Sequence, residues 1–399
     1  MKIIIASVSA ALVTAGAASA GGLDRTGQPI GVLFEDGGAT GGYAEISLSF
    51  TNPSVSGTGE GVPATPPFLP GNEAGFDYDD MVNDFYTAGV ALKFRFSDAW
   101  SGALIFEEPF GTDLLYNGNP ATTDLGGTKA DAETSTLTAL LRYKFSDNWS
   151  AYGGVRIQRI KGQISLGGQA YGYVNGYNVD LDGSTAAGYV IGGAYEIPEI
   201  ALRIALTYNS AITHSMNTTE SGPDIPVAIP GYGVVMADLL NGSSVTEVKT
   251  PQSINLDFQT GVARDTLLFG SVRWVDWSQF LVDPVLFTSV TGVGLVEIED
   301  TTTYTLGVGR QFTDKLAASV SASYEASADE MISPLQPYTG FFALALGASY
   351  DVGDFVISAG VRHAWLGDAK PSTGDPLVAR AVFEDNTATS FGFRVGYNF

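Results

Sequence analysis

Lys93, Arg95, Arg142, Lys144, Arg156, Arg203, Arg273, Arg362 and Arg394 stand in runs where they alternate with largely apolar residues. The chain has 20 Lys and Arg in all, so nine in equivalent positions are a pattern rather than scatter. Their chemistry is charge-assisted hydrogen bonding, with a carboxylate as the natural partner. Other chemistries lack residues. There is no Cys, so neither a thiolate metal site nor a disulfide can form. Two histidines, His214 and His363, are too few for a zinc site built on imidazole. No Ser sits in a G-x-S-x-G elbow. No enzyme, cofactor or metal is expected. With 43 acidic residues and a net charge of −23, the chain cannot neutralise a run of phosphates, which excludes nucleic acid.

The elements that position these cations have period two. Ala88, Val90, Leu92, Phe94 and Phe96 fall on one face, opposite Gly89, Ala91, Lys93 and Arg95. Leu137, Ala139, Leu141, Tyr143 and Phe145 oppose Thr138, Leu140, Arg142 and Lys144. Such runs are strands. "FSDAW" at 96–100 and "FSDNW" at 145–149 are short polar turns between aromatics, and similar short turns fall at 197–199, 263–265, 313–314 and 352–354. Long polar segments rich in Gly, Pro and Asp join the strands at the opposite side. Short turns at one end and long loops at the other predict an all-β, antiparallel transmembrane barrel, with the aromatics as an interfacial girdle. The count is about 14 strands: 42–51, 84–96, 99–107, 131–146, 149–166, 179–196, 200–216, 245–262, 266–280, 297–312, 315–326, 339–351, 354–366 and 380–399. The nine cations then face the lumen.

Residues 1–20 read as a Sec signal peptide cleaved after Ala20, residues 21–40 as a short N-terminal hatch, and 41–399 as the barrel. The address is the bacterial outer membrane. The terminal Phe399, with Tyr397 and Phe393 on its face, suits recognition by the barrel assembly machinery. Acidic loops suit lipopolysaccharide bridged by divalent cations. Glu107-Glu108-Pro109-Phe110-Gly111 interrupts the third strand, because Pro109 has no N–H for the ladder. The loops carry apolar residues: Phe68, Leu69, Phe76, Leu114, Leu115, Tyr116 and the run 227–240, which contains Ile229, Val234, Val235, Met236 and Leu239. An exposed apolar patch of that kind predicts a binding groove, on this reading built from a short amphipathic helix.

"FSDAWSGALIFEEPFGTDLLYN", "ADAETSTLTALLRYKFSDNWSAYGGVRIQRIKGQI" and "TPQSINLDFQTGVARDTLLFGSVRWVDWSQF" resemble, in order and spacing, the FadL/TodX-type transporters of long-chain fatty acids and aromatic hydrocarbons. The resemblance implies passive uptake: an extracellular groove, a lumen pocket, a hatch, and a lateral opening at the kinked third strand, here Glu108, Pro109, Phe110 and Gly111. It places Lys161 where the family has a basic residue reaching ligand, with Arg156 and Arg159 beside it. Strict alternation from Trp149 turns Arg159 and Lys161 toward lipid, so their role requires a bulge. The hatch is shorter than the family's. Long-chain fatty acids are the expected substrate; an aromatic hydrocarbon transporter and a general diffusion porin are the alternatives.

Overall fold

In a computed structural model the described residues are 23–64, 70–296, 298–327, 331–336, 338–374 and 377–399. The signal-peptide expectation, and Phe68 and Leu69, lie outside them.

Fourteen strands form one closed antiparallel barrel. They are β1 (Tyr43–Ser54), β2 (Phe85–Arg95), β3 (Trp100–Glu107, resuming at Gly111–Leu115), β4 (Lys129–Lys144), β5 (Trp149–Leu166), β6 (Tyr177–Ile197) and β7 (Leu202–Asn209 and Ile212–Ser221). They continue with β8 (Gly242–Thr250 and Ser253–Ala263), β9 (Thr266–Val275), β10 (Thr301–Gln311), β11 (Leu316–Glu325), β12 (Thr339–Val352), β13 (Phe355–Gly367) and β14 (Thr387–Asn398). Closure comes from β1 against β14, Tyr43↔Asn398 through Ser54↔Thr387. With the sheet closed on itself, no strand is left as an edge.

Several boundaries differ from expectation: the seventh strand runs on to Ser221 and the tenth starts at Thr301, and two larger shifts have a visible cause. The ninth strand stops at Val275, because Trp277–Gln279 turns into a 3₁₀ helix that buries Trp277. The fourteenth starts at Thr387 because Ala381 and Val382 are drawn into a small loop sheet with Gly57–Gly59.

Outside, the wall is an apolar belt: Ile46, Leu48, Val90, Leu104, Leu137 and Val155 are all exposed. Aromatics bound it at the short turns and pair across strands, Trp100 with Tyr143 at 4.6 Å and Trp149 with Tyr195 at 4.7 Å. An exposed belt of this composition is stable only against hydrocarbon. Inside, the wall is polar: Thr136, Thr138, Gln158, Thr207, His214 and Thr250 are buried and face the lumen.

At the long-loop end, helix α1 (Val285–Thr291) hangs from β7. Buried Glu220 accepts the Leu286 and Phe287 N–H groups at 3.0 and 2.8 Å and the Tyr177 hydroxyl at 2.8 Å. The apolar run in 227–240 folds as a hairpin, Ile225–Ile229 against Gly233–Ala237, not as a helix. Gly231 and Gly233, at φ 84° and 85°, make the turn.

Candidate functional site

The N-terminal segment runs inside the barrel and is fastened at two levels. Near the short-turn end, Phe34 lies between two guanidinium groups, 4.5 Å from that of Arg142 and 4.6 Å from that of Arg203. Arg142 also pairs with Glu196, and Lys93 donates to the Glu35 carbonyl. Higher up, Asp24 and Arg273 form a buried ion pair at 2.7 Å. Arg273 donates further to Ser253 (3.1 Å), Asn255 (2.7 Å) and Gln28 (3.3 Å). Removing these charges from water is costly unless every donor is met, and here the Arg273 fork is met on all sides.

Immediately beyond Asp24 the segment reaches the interrupted strand. The Arg25 N–H donates to the Pro109 carbonyl at 2.8 Å, and the Gly111 N–H to the Leu23 carbonyl at 3.0 Å. Asp24 and Phe110 are thus antiparallel partners. The break satisfies its other groups locally. Thr134 Oγ1 accepts the Phe110 N–H at 2.8 Å and donates back to the Phe110 carbonyl at 2.6 Å. Glu108 Oε2 accepts the Ala88 N–H at 3.1 Å, which has lost its ladder partner.

The result is an opening between β2 and β3. Their ladder runs from Arg95↔Ser101 to Val90↔Phe106 and stops. It resumes at Val82↔Leu114, with the Asn83 N–H on the Asp113 carbonyl at 2.9 Å. Seven steps separate Val90 from Asn83 and seven separate Phe106 from Asp113, so the register is unchanged across the opening. The two strands bow apart without slipping. The extra residue of the kink is absorbed on the far side, where β3 advances four residues from Glu107↔Thr136 to Gly111↔Glu133 while β4 advances three.

Arg25 fills the opening. Its guanidinium lies 4.4 Å from the Phe85 ring centroid, and a Cβ on Gly111 would stand 2.6 Å from Arg25 Cζ. Only glycine leaves room for it there. Burial holds this guanidinium below its ordinary value, and carboxylates oppose that shift, Glu108 most, then Asp113, Glu133 and Asp131.

Beside the opening is a cavity lined almost wholly by apolar side chains: Leu23, Ile160, Met216, Val248, Phe280 and Leu335 among them, with Val282, Val296 and Ile298 as its roof. Its free volume is about 50 Å³, smaller than the roughly 150 Å³ apolar cavity that holds benzene.

The expected site residues are thus divided. Glu108, Pro109, Phe110 and Gly111 form one rim of the opening. Arg156 is in the lumen, 2% exposed, with one terminal nitrogen unpartnered. Arg159 and Lys161 are corrected: both lie on the outer face. Lys161 pairs there with Glu133 at 2.9 Å, both more than half exposed, and Arg159 covers Gly183. The bulge their role required does exist, but it falls on β6, where Ile160↔Ser184 is followed by Gly162↔Leu181.

The groove residues do not converge. Leu114 and Tyr116 are fully buried in an aromatic cap, Tyr116 lying 5.3 Å from Tyr78 and donating to the Pro334 carbonyl at 2.8 Å. Leu115 is exposed on the outer face, and Ile229, Val234, Val235, Met236 and Leu239 are exposed on and beside the hairpin. Of the nine cations, Arg95 and Lys144 sit exposed at the rim; the other seven face inward. The cavity itself went unread. Its signal was the set of apolar residues at lumen-facing positions, Ile160, Ile164, Leu181, Met216 and Val248, in strands otherwise polar on that face.

A closed fourteen-stranded barrel with an apolar belt, a filled lumen and a break in one wall ladder is the architecture of an outer-membrane channel for hydrophobic compounds. The chain belongs to the outer membrane protein transport protein family (OMPP1/FadL/TodX), which it matches over residues 33–399. Among solved structures it is similar to a Pseudomonas aeruginosa FadL homologue, with 16% identity, TM-score 0.69, and coverage of 93% of this chain and 92% of that one. It is also similar to the Pseudomonas putida toluene transporter TodX (12% identity, TM-score 0.61, coverage 96% and 98%) and the Ralstonia pickettii toluene transporter TbuX (11%, 0.58, coverage 93% and 94%). At these identities the likeness is one of fold. No curated protein matches the chain in sequence.

Proposed function

We propose that the chain takes up long-chain fatty acids by passive diffusion and releases them sideways into the outer membrane between β2 and β3. The observation that carries this reading is an apolar cavity separated from an in-register opening in the wall by three residues, Leu23, Asp24 and Arg25. Below that level the lumen is polar and occupied by the N-terminal segment, so a hydrocarbon tail has no favourable route straight down. Exit through the wall keeps it in apolar surroundings throughout. Residues 21–40 act as the hatch, and cleavage after Ala20 leaves that segment as the start of the mature chain. Phe399, just past β14, addresses the assembly machinery, and the acidic loops meet lipopolysaccharide.

A second reading, uptake of an aromatic hydrocarbon, is favoured by the lack of inward charge around the cavity and by the toluene transporters among the similar folds. A general diffusion porin is disfavoured by the filled lumen. The test is uptake of labelled oleate, toluene and a small hydrophilic sugar by cells lacking their own fatty-acid transporter. Oleate entry without sugar leakage is expected; sugar entry without either hydrophobic compound would overturn the transporter.

A further inference from the structure

A second stretch of the wall is unladdered. β6 and β7 pair from Leu202↔Ile197 to Asn209↔Val190, and again from Thr218↔Leu181 to Ser221↔Asn178. Between these, residues 182–189 of β6 and 210–217 of β7 have no ladder partner in each other. At the lower end Ser210 bridges the strands: its N–H donates to the Tyr189 carbonyl at 2.9 Å, and its Oγ accepts the Tyr189 N–H at 2.9 Å.

The cause is a phase error. On β7 the buried, inward positions are Ala205, Thr207 and Asn209 below, then Ile212, His214 and Met216 above, so alternation slips by one at Ser210 and Ala211. β6 makes its own slip higher up, at the bulge of Asp182 and Gly183. The two slips cancel, and the register is the same on both sides. Between them, opposite residues face different ways: Ile212 is inward against exposed Ala187, and His214 inward against exposed Thr185. Antiparallel partners share a face, so this stretch cannot zip up unless one slip moves.

Side chains close what the backbone leaves open. Gln158 on β5 reaches past β6: its Oε1 meets His214 Nε2 at 3.2 Å and accepts the Thr250 hydroxyl of β8 at 2.7 Å. Ile212 stops the inner side, where a Cβ on Gly188 would stand 2.6 Å from its Cγ1. The β6 margin, Gly183 to Gly188, is Gly, Ser, Thr and Ala throughout, with no bulky side chain.

The seam adjoins both the cavity and the membrane. Met216, within it, and Leu181, at its upper end, line the cavity, so wall side chains alone separate the two. On the outer face Ile191 and Leu206 are exposed just below it, and Thr213 and Ser215 along it. The Tyr189 and Tyr208 rings, 5.9 Å apart, mark the change. That is the edge of the apolar belt, where hydrocarbon meets head groups. The row Glu107↔Thr136↔Gln158↔Ala186 runs from the β2–β3 opening to the seam, so both breaks lie in the same rows of the wall. Strands β3 to β6 thus form a panel that is paired within and free at both edges. Each of the four lines the cavity, through Thr112, Ala130, Ile160 and Leu181.

We propose that the β6–β7 seam is a second lateral portal, through which a slender hydrocarbon passes between the cavity and the outer leaflet without displacing the N-terminal segment. The proposal rests on the transport reading and adds a route that Arg25 does not guard.

The test is a reversible bridge across the seam. The chain has no Cys, so in Ala187→Cys/Thr213→Cys a short bis-methanethiosulfonate reagent joins those two thiols and a reductant releases them. Uptake by cells is followed for whichever of labelled oleate and toluene wild type admits, in a Pro109→Val background that draws β3 toward β2. Bridging should cut the uptake that remains by about fivefold or more, and reduction should restore it; the released barrel is its own folding control. Ala139→Cys/Val155→Cys, partners in the unbroken β4–β5 ladder, should stay within about twofold when bridged. Remaining uptake that does not respond to a bridge verified by mass overturns the portal. So does a folded Pro109→Val barrel that admits neither compound while wild type does. Wild-type cells that admit neither would sink the transport reading, and the portal with it.

Discussion

Strands β4 and β5 pair through sixteen consecutive residues, Lys129↔Ser165 to Lys144↔Ser150, without a break. Strands β2 and β3 pair through six and then part. Both pairs are antiparallel, and both carry apolar residues outward over the same height. The difference is one proline and one glycine. Pro109 removes a donor that the ladder needs, and Gly111 makes room for a side chain that is not part of the wall. Because the register is kept across the opening, the ladder above and below is already aligned. Opening and closing then require bowing alone, with no slip that would turn inward residues outward. A wall can thus be locally openable without being globally weak.

The largest effect should come from freeing the segment that backs the opening. Arg273→Gln leaves Asp24 buried without its cation, a loss of about 3–5 kcal/mol in docking. The N-terminal segment should leave the lumen, and single-channel conductance in planar bilayers should rise well above wild type. Unchanged conductance would mean that the lower anchor around Phe34 suffices alone. Next, a proline in the unbroken wall tests whether proline by itself makes an opening. Ala139→Pro on β4 should cost roughly 3 kcal/mol in urea unfolding and confer no new uptake route, since no segment stands ready to satisfy the freed groups. Restoring the donor is the converse. Pro109→Val should let β3 close toward β2 and cut oleate uptake about tenfold, equivalent to ~1.4 kcal/mol; wild-type uptake would show that lipid exit lies elsewhere. The smallest effect belongs to Lys161→Ala. Its ion pair is exposed on the outer wall, worth about 0–1 kcal/mol, and oleate uptake should stay within about twofold of wild type. A large loss would return Lys161 to the ligand path.

The same contrast shows what sequence can carry. Period-two alternation is a local signal, so the strands, their number and the interruption at Pro109 were legible. The direction of Arg159 and Lys161 was legible too, since strict alternation from Trp149 already turned them outward. The bulge belongs to β6, where Asp182 and Gly183 supply the extra length, and alternation on β5 says nothing of its neighbour. Contacts between Asp24 and Arg273 span most of the chain and leave no local mark. The hairpin at 225–237 was misread because an apolar run too short to show its period fits helix and strand alike; the Gly231 and Gly233 turn was the discriminating feature.

Glu220 has a further consequence. One buried carboxylate on β7 receives the start of α1, and the segment around that helix supplies Val282, Val296 and Ile298 above the cavity. The roof therefore plugs into the wall at this socket, while the strands below keep their own ladder. Such a part is exchangeable. Grafting the β9–β10 segment from a relative that handles smaller molecules, with Glu220 kept, should retune the size of accepted cargo without rebuilding the pore.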